Sequence, residues 1–229
     1  MSSRAVVATQ AENPWISWDY IASHTDALAA AAREHVFLTL SSVLCALLLA
    51  FPLAVLVRRY RTLHSPVLAL SGVLYTIPSL ALISLLWPIF GLSPLTVIIA
   101  LTTYALLVVL RNTVVGLDDV DEQVLDAARG MGMGERGVLW RVEVPLALPT
   151  ILAGIRIATV STVGMVTVGA LVGYGGFGSL ILSGFQQNFW HAQIFTATAA
   201  CVLLAIVFEV LLHGLEWLST PWARGRGRA

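Results

Sequence analysis

The chain has 229 residues, 58% of them hydrophobic and 11% charged, with a mean hydropathy of +0.85. A soluble domain is about half apolar and about a quarter charged; here the excess is gathered in blocks long enough to cross a bilayer, which takes roughly 20 residues per helix. The 13 basic and 13 acidic side chains cancel, so no global charge draws nucleic acid, and the alternating pattern of a membrane β-barrel is absent. The composition is that of an all-α integral membrane protein.

Residues 1–12 read as disordered. Residues 14–33 carry Trp15, Trp18 and Tyr20 and read in one of two ways. They form a short interfacial segment running into an Ala-rich helix start, since Trp and Tyr favour the headgroup level, or they are a tail with a few aromatics. Residues 1–35 are thus an N-terminal extracytoplasmic or interfacial segment. It is too long for the charged start of a signal peptide, and no small-x-small cleavage site follows the first apolar block, so that span is read as retained. The transmembrane domain fills residues 36–218, with spans predicted at 36–57, 66–90, 95–110, 149–172 and 194–212. Pro52 is expected to kink the first and Pro78 to break the second, and residues 91–94 form a tight turn. A polar insert occupies 118–145, a Gly-rich loop 173–193 and a basic tail 219–229.

All 13 cations are arginines. Placing the loop of Arg58, Arg59 and Arg61 inside leaves only Arg4 and Arg33 outside, against 11 on the inner side. By the positive-inside rule this gives five spans, the N-terminus outside, and the C-terminus and the insert in the cytoplasm. Cys45 and Cys201 fall within apolar spans and read as buried thiols; no Cys or His spacing suits a metal.

The insert is predicted to be two short helices. The first, at 120–131, has Asp121, Glu122 and Asp126 towards its start, where the helix dipole favours acids. Ala127 and Ala128 are small enough for a facing surface to approach closely. Gly132 suits a turn that a side chain would penalise. Val138, Leu139 and Val142 give the second helix an apolar face, and Pro145 and Pro149 mark the return to the membrane. Such a unit is a rigid knob that can transmit a push, or an ordinary amphipathic loop. From Asp126 to Pro145 the pattern is acid-Ala-Ala, three residues, Gly132, nine residues, then Val142-x-Val144-Pro145. This resembles the cytoplasmic coupling motif of ABC-importer permeases, whose general form is EAA, three residues, G, nine residues, I-x-L-P. Asp126 stands where the motif usually has Glu, which keeps the charge and shortens the reach; the valines are mild apolar swaps.

The resemblance extends to IPSLAL at 77–82, YALLVVLRNTVVGL at 104–117, DAARGMGM at 126–133, VPLALPTILAGIR at 144–156 and GYGGFGSLI at 173–181. These runs look like the permeases of osmoprotectant importers, the type I ABC systems for glycine betaine, carnitine, choline and related solutes. The resemblance covers about residues 36–190. It implies the type I ABC-importer permease fold, five transmembrane helices and a cytoplasmic coupling insert, in the bacterial plasma membrane. It also implies a second permease copy or homologue, two ATP-binding subunits below and a substrate-binding protein above. The coupling residues would be Asp126, Ala127, Ala128, Gly132, Val142 and Pro145. The chain has no G-x-x-x-x-G-K-[ST] phosphate loop and no Lys, so ATP is expected on the partner, no cofactor on this chain, and no catalysis by it alone. A permease for another solute, such as an amino acid or an anion, shares the insert but not its surroundings; an ATP-independent channel or carrier needs no ATPase.

Intramembrane polar groups are candidates for the pathway. Arg156 and Glu209 both lie towards the cytoplasmic side and read as a structural pair, with a substrate role for Glu209 as the alternative. Glu216 and His213 are placed at the interface. Tyr75, Trp87 and Tyr104 read as packing or interface anchors, or as rings that stack on a quaternary ammonium. Gly154, Gly164 and Gly169 are expected to let the fourth span pack closely in the subunit pair. The Gly-rich run reads as a flexible outer loop leading to a short helix at 179–187 near a docking surface, or as a plain turn. Val172-Gly173-Tyr174-Gly175 also matches part of a potassium-channel filter, but Leu171 replaces the threonine.

Overall fold

The computed structural model describes residues 13–222; the expectations for residues 1–12, and for Arg224, Arg226 and Arg228, lie outside the described residues. Helix α1 (Trp18–Ser23) starts at Ser17, whose hydroxyl accepts the Tyr20 N–H at 3.2 Å. One residue later begins α2 (Thr25–Arg59), 35 residues that run through Pro52 without a break. The Ala-rich start and the first span are therefore one helix. Alanine is the best helix former, and nothing between Arg33 and Val36 interrupts the run. At about 1.5 Å per residue α2 is longer than the hydrocarbon core requires.

After a 3-10 turn at Arg61–Leu63 come α3 (His64–Thr76) and α4 (Ser79–Phe90), bent by 93° at their junction. Pro78 lacks an N–H and pushes Ile77 into extended backbone, ψ 125°. With 12 residues, α4 is far too short to cross alone, and the helix pair is broken where Pro78 foretold. Helix α5 (Pro94–Asp118) leads into the insert, α6 (Glu122–Gly130) and α7 (Glu135–Val138). Then α8 (Val144–Val166), prolonged by a 3-10 turn at Thr167–Val172, and α9 (Phe177–Gln186) and α10 (His191–Ser219) complete the chain. Four helical stretches among the described residues are long and apolar enough to cross a membrane, and the bent pair passes the same test when its two helices are taken together, five in all if that pair is one span.

The main core lies where α2, α5 and α8 meet. Ala46, Ala50, Ala54 and Val57 line one face of α2 against Val109, Leu110 and Leu117 of α5 and Ala147, Ile151 and Ala158 of α8. Close approach through small side chains is how membrane helices gain packing, because lipid tails are as apolar as leucine. Glycine serves the same end at Gly154, where a Cβ would lie 2.4 Å from the Cβ of Asn112 on α5. Gly169 packs likewise on Val97 and the Tyr174 carbonyl. These two glycines thus serve packing inside the subunit, not between subunits as the sequence suggested, and Gly164 faces open space. By contrast α10 buries only 6% of its most apolar window and presents Val202, Leu203, Ile206, Val210 and Leu211 outward.

Gly154→Val is expected to force α5 and α8 apart and to destabilise the detergent-purified protein by about 1–3 kcal/mol, read as a lowered Tm. Gly164→Ala, with room for its methyl, is expected to leave the Tm unchanged.

Candidate functional site

The insert is built around its own small core. Val120, Leu125, Ala128 and Val138 are buried together, with Met133, Val142 and Leu146 packed against them. Helix α6 begins at Asp121, whose carboxylate accepts the Gln123 N–H at 2.9 Å. It ends in a paired cap: the Met133 N–H donates to the Ala128 carbonyl and the Gly132 N–H to the Arg129 carbonyl. This cap needs a left-handed residue at Gly132, and its φ is +84°. Met133, just beyond the turn, folds back on the core that holds Ala128, the apolar contact that accompanies such caps.

This geometry divides the residues that the motif singles out. Asp126 and Ala127 are exposed on the outer face of α6, and Asp126 pairs with Arg129, one turn on, at 2.9 Å. Ala128 is 2% exposed and faces the core of the insert, so only Ala127 offers a small outward surface. Val142 is half-buried against that core.

Pro145 does not interrupt the helix. From Glu135 to Val172 the chain is one helical stretch of 38 residues, so the second limb of the insert is the lower end of a membrane span. The prolines are accommodated rather than disruptive. Leu139–Glu143 is a π turn in which the Val144 N–H reaches back to the Leu139 carbonyl. That widening relieves the clash a proline ring makes with the preceding turn.

A half-buried arginine clamps this limb to the bundle. Arg58, at the end of α2, donates through Nη1 to Asp118 Oδ1 at 2.9 Å and through Nε to Glu143 Oε2 at 3.1 Å. Its side chain is 19% exposed and that of Glu143 11%. The clamp therefore joins the lower ends of α2 and α5 to the π turn. Arg59 reaches Glu135 at 3.6 Å, but both are well exposed and such a pair contributes little. Sequence reasoning missed the clamp. The signal present was Arg58 as the first cation after a span, and nothing local pointed to a glutamate 85 residues away.

Higher in the bundle, Arg156 donates to Glu209 at 2.8 Å, so the expected pair is formed, and Glu216 stands 3.7 Å from Arg156 Nε. Tyr75 and Tyr104 meet edge to face at 5.8 Å. The Tyr104 hydroxyl donates to the Ile77 carbonyl at the α3–α4 break. A broken helix at membrane depth needs its freed carbonyls satisfied by protein, and Tyr104 does this while 5% exposed. It is a packing residue, whereas Tyr75 and Trp87 are about half exposed.

The Gly-rich loop is pinned, not flexible. The Gly176 N–H donates to Glu34 Oε1 at 3.1 Å and the Phe177 N–H to His35 Nδ1 at 3.3 Å, while His35 Nε2 bonds the Val163 carbonyl at 2.9 Å. A Cβ on Gly176 would lie 2.6 Å from that of His35. The segment before α1 is tied to this side as well. Asn13 bonds the Phe189 carbonyl and the His191 N–H, each at 2.8 Å, and Trp15 stacks on His191 with centroids 4.1 Å apart. Burial against this aromatic group pushes the Tyr20 phenol above its ordinary pKa.

Residues 42–223 match the family described as the inner membrane component of binding-protein-dependent transport systems. The chain belongs to this family. The osmoprotectant import permease protein OsmW of Salmonella typhimurium is 38% identical over 207 residues, which cover 88% of this chain and 96% of that protein. The glycine betaine/carnitine/choline transport system permease protein OpuCD of Bacillus subtilis is 35% identical over 194 residues, 85% of each chain. The MetNI methionine ABC transporter, solved in inward-facing conformations, superposes with a TM-score of 0.75 over 90% of this chain and 100% of its own. At 20% identity that likeness carries the fold alone.

The protein is thus an integral membrane permease subunit of an ABC importer, with the type I permease fold. Permeases of this family work with ATP-binding subunits, a substrate-binding protein and a second permease; they are generally non-catalytic, and ATP sits on the ATPase. The filter-like Val172–Gly175 run is accounted for by the pinned loop.

Arg58→Ala leaves the carboxylate of Glu143 buried without its partner and is expected to cost about 3 kcal/mol. Arg59→Ala is expected to cost well under about 1 kcal/mol. Thermal unfolding of the two purified variants checks the difference.

Proposed function

We propose that this permease imports osmoprotectants, quaternary ammonium compatible solutes of the glycine betaine, carnitine and choline class, and that the insert at 126–145 couples its pathway to a separate ATPase. What supports the solute class is sequence identity to osmoprotectant permeases that runs along most of the chain. What supports the coupling role is a partner-sized knob with exposed Asp126 and Ala127 outside and its own core inside. The arginine asymmetry favours the insert and C-terminus in the cytoplasm and the N-terminus outside, in a bacterial plasma membrane. In that arrangement two ATPases contact two inserts, one from each permease of a pair. The binding protein docks at the far side, near the pinned loop and α9. The chain itself performs no catalysis.

The mechanism follows from continuity. When the ATPases close, force falls on the α6 face that carries Asp126 and Ala127. The core around Leu125, Ala128 and Val138 keeps the knob from deforming. The push passes through the second limb directly into α8, with no hinge between. Through Arg58 it reaches α2 and α5 at the same level. Glu209 and Arg156, paired to each other, hold α8 to α10 during this motion.

Gly132→Asp tests the coupling role. Its Cβ meets nothing within 4 Å, so the fold is expected to persist with roughly 1 kcal/mol of left-handed strain, and the new carboxylate projects from the tip of the knob. Membrane insertion is expected to be normal and ATP hydrolysis to lose its link to betaine uptake in vesicles. Normal uptake by that variant would falsify the coupling role.

A further inference from the structure

A cavity of about 530 Å³ opens between the end of α2 and the second limb of the insert. Arg58, Arg59, Arg61, Arg129 and Arg136 line it, against two carboxylates, Glu135 and Glu143. Arg58 is held by Asp118 and Glu143, Arg59 stands near Glu135, and Arg129 pairs with Asp126. Arg61 and Arg136 have no ion-pair partner among the described residues. Two guanidiniums of the cavity are therefore uncompensated, and the whole lining favours an anion.

The rest of the lining is apolar: Val55, Val138, Leu139 and Trp140. Trp140 is 60% exposed and packs on Phe51, its ring centroid 5.4 Å away. Phe51 sits about two turns before Arg58 on α2, towards the interior of the span. A half-buried Phe51 and an exposed Trp140 thus form an aromatic face that leads into a ring of arginines. An amphiphile with a negative head has this shape, and basic pockets between membrane helices suit anionic lipid head groups. Free phosphate would meet the same arginines but would leave the Phe51–Trp140 face unused.

We propose that this cavity holds the phosphate of an anionic phospholipid, with Arg61 and Arg136 as its ligands and the Phe51–Trp140 face against the start of the acyl chains. The inner-leaflet origin of the lipid rests on the orientation proposed above. The lining takes in both sides of the Gly132 turn, Arg129 before it and Glu135 and Arg136 after it, together with the end of α2. A bound head group would therefore brace the coupling insert against the bundle and make its stiffness depend on the lipid around it.

The test uses the assembled transporter in nanodiscs of equal parts phosphatidylglycerol and phosphatidylcholine, extracted into mild detergent and read by native mass spectrometry. Wild type is expected to keep phosphatidylglycerol in preference to phosphatidylcholine. The double variant Arg61→Ala, Arg136→Ala is expected to lower that retention roughly 30-fold, at the strength typical of arginines near an anionic surface. Trp140→Ala is expected to lower it too, while Arg111→Gln, which lies outside the cavity, is expected to change nothing. Equal retention by wild type and the double variant, or no preference between the lipids, overturns the proposal. Displacement of the lipid by excess inorganic phosphate, with Trp140→Ala without effect, overturns the lipid as the source of the anion. The readout is binding, not uptake, so its failure is separate from failure of the coupling reading.

Discussion

Arg58 stands where three structural demands coincide. It ends the longest helix, it faces the last acid of α5, and it meets the one well-buried glutamate of the π turn. Two carboxylates this close together repel unless a cation lies between them, and a guanidinium serves both with its planar set of donors. Without that clamp the insert would be held to the bundle by its two chain connections, the Phe51–Trp140 contact, Leu139 against the main core and an exposed Arg59–Glu135 pair. With it, the insert and the lower ends of α2, α5 and α8 behave as one body. Every step of the proposed push depends on that rigidity.

The same economy of joints shapes the rest of the molecule. In a bilayer each backbone polar group must find a partner in the protein, so breaks are few and each is attended. The α3–α4 break is closed by the Tyr104 hydroxyl on the Ile77 carbonyl. The loop at Gly176 is closed by Glu34 and His35. What remains open is α10, whose outward face is apolar along its length. That suits contact with lipid or with a second permease.

The features legible in the sequence are those with a local cause. Pro78 broke the second span because a proline restricts its own backbone and that of its neighbour. Gly132 marked a turn because only glycine takes a left-handed backbone without strain. The features that were not legible depend on distant partners. Nothing near Gly176 reveals that its N–H will meet Glu34, 142 residues away, and so a glycine-rich run read as flexible. Nothing near Ala128 says whether it or Ala127 faces outward, because that depends on where Val138 returns to pack. That the helix runs on through Pro145 was not legible either, because the π turn before it, which absorbs the ring, has no residue signature of its own.

The central claim is that a rigid insert presents one face of α6 to the ATPase. Cross-linking measures this directly. In a background where Cys45 and Cys201 are replaced by serine, Ala127→Cys and Ala128→Cys are each combined with a cysteine on the facing ATPase surface. The expected result is a nucleotide-dependent disulfide from position 127 and none from position 128, whose side chain is enclosed in the core of the insert. Equal cross-linking from both positions, or cross-linking from 128 alone, would contradict the account.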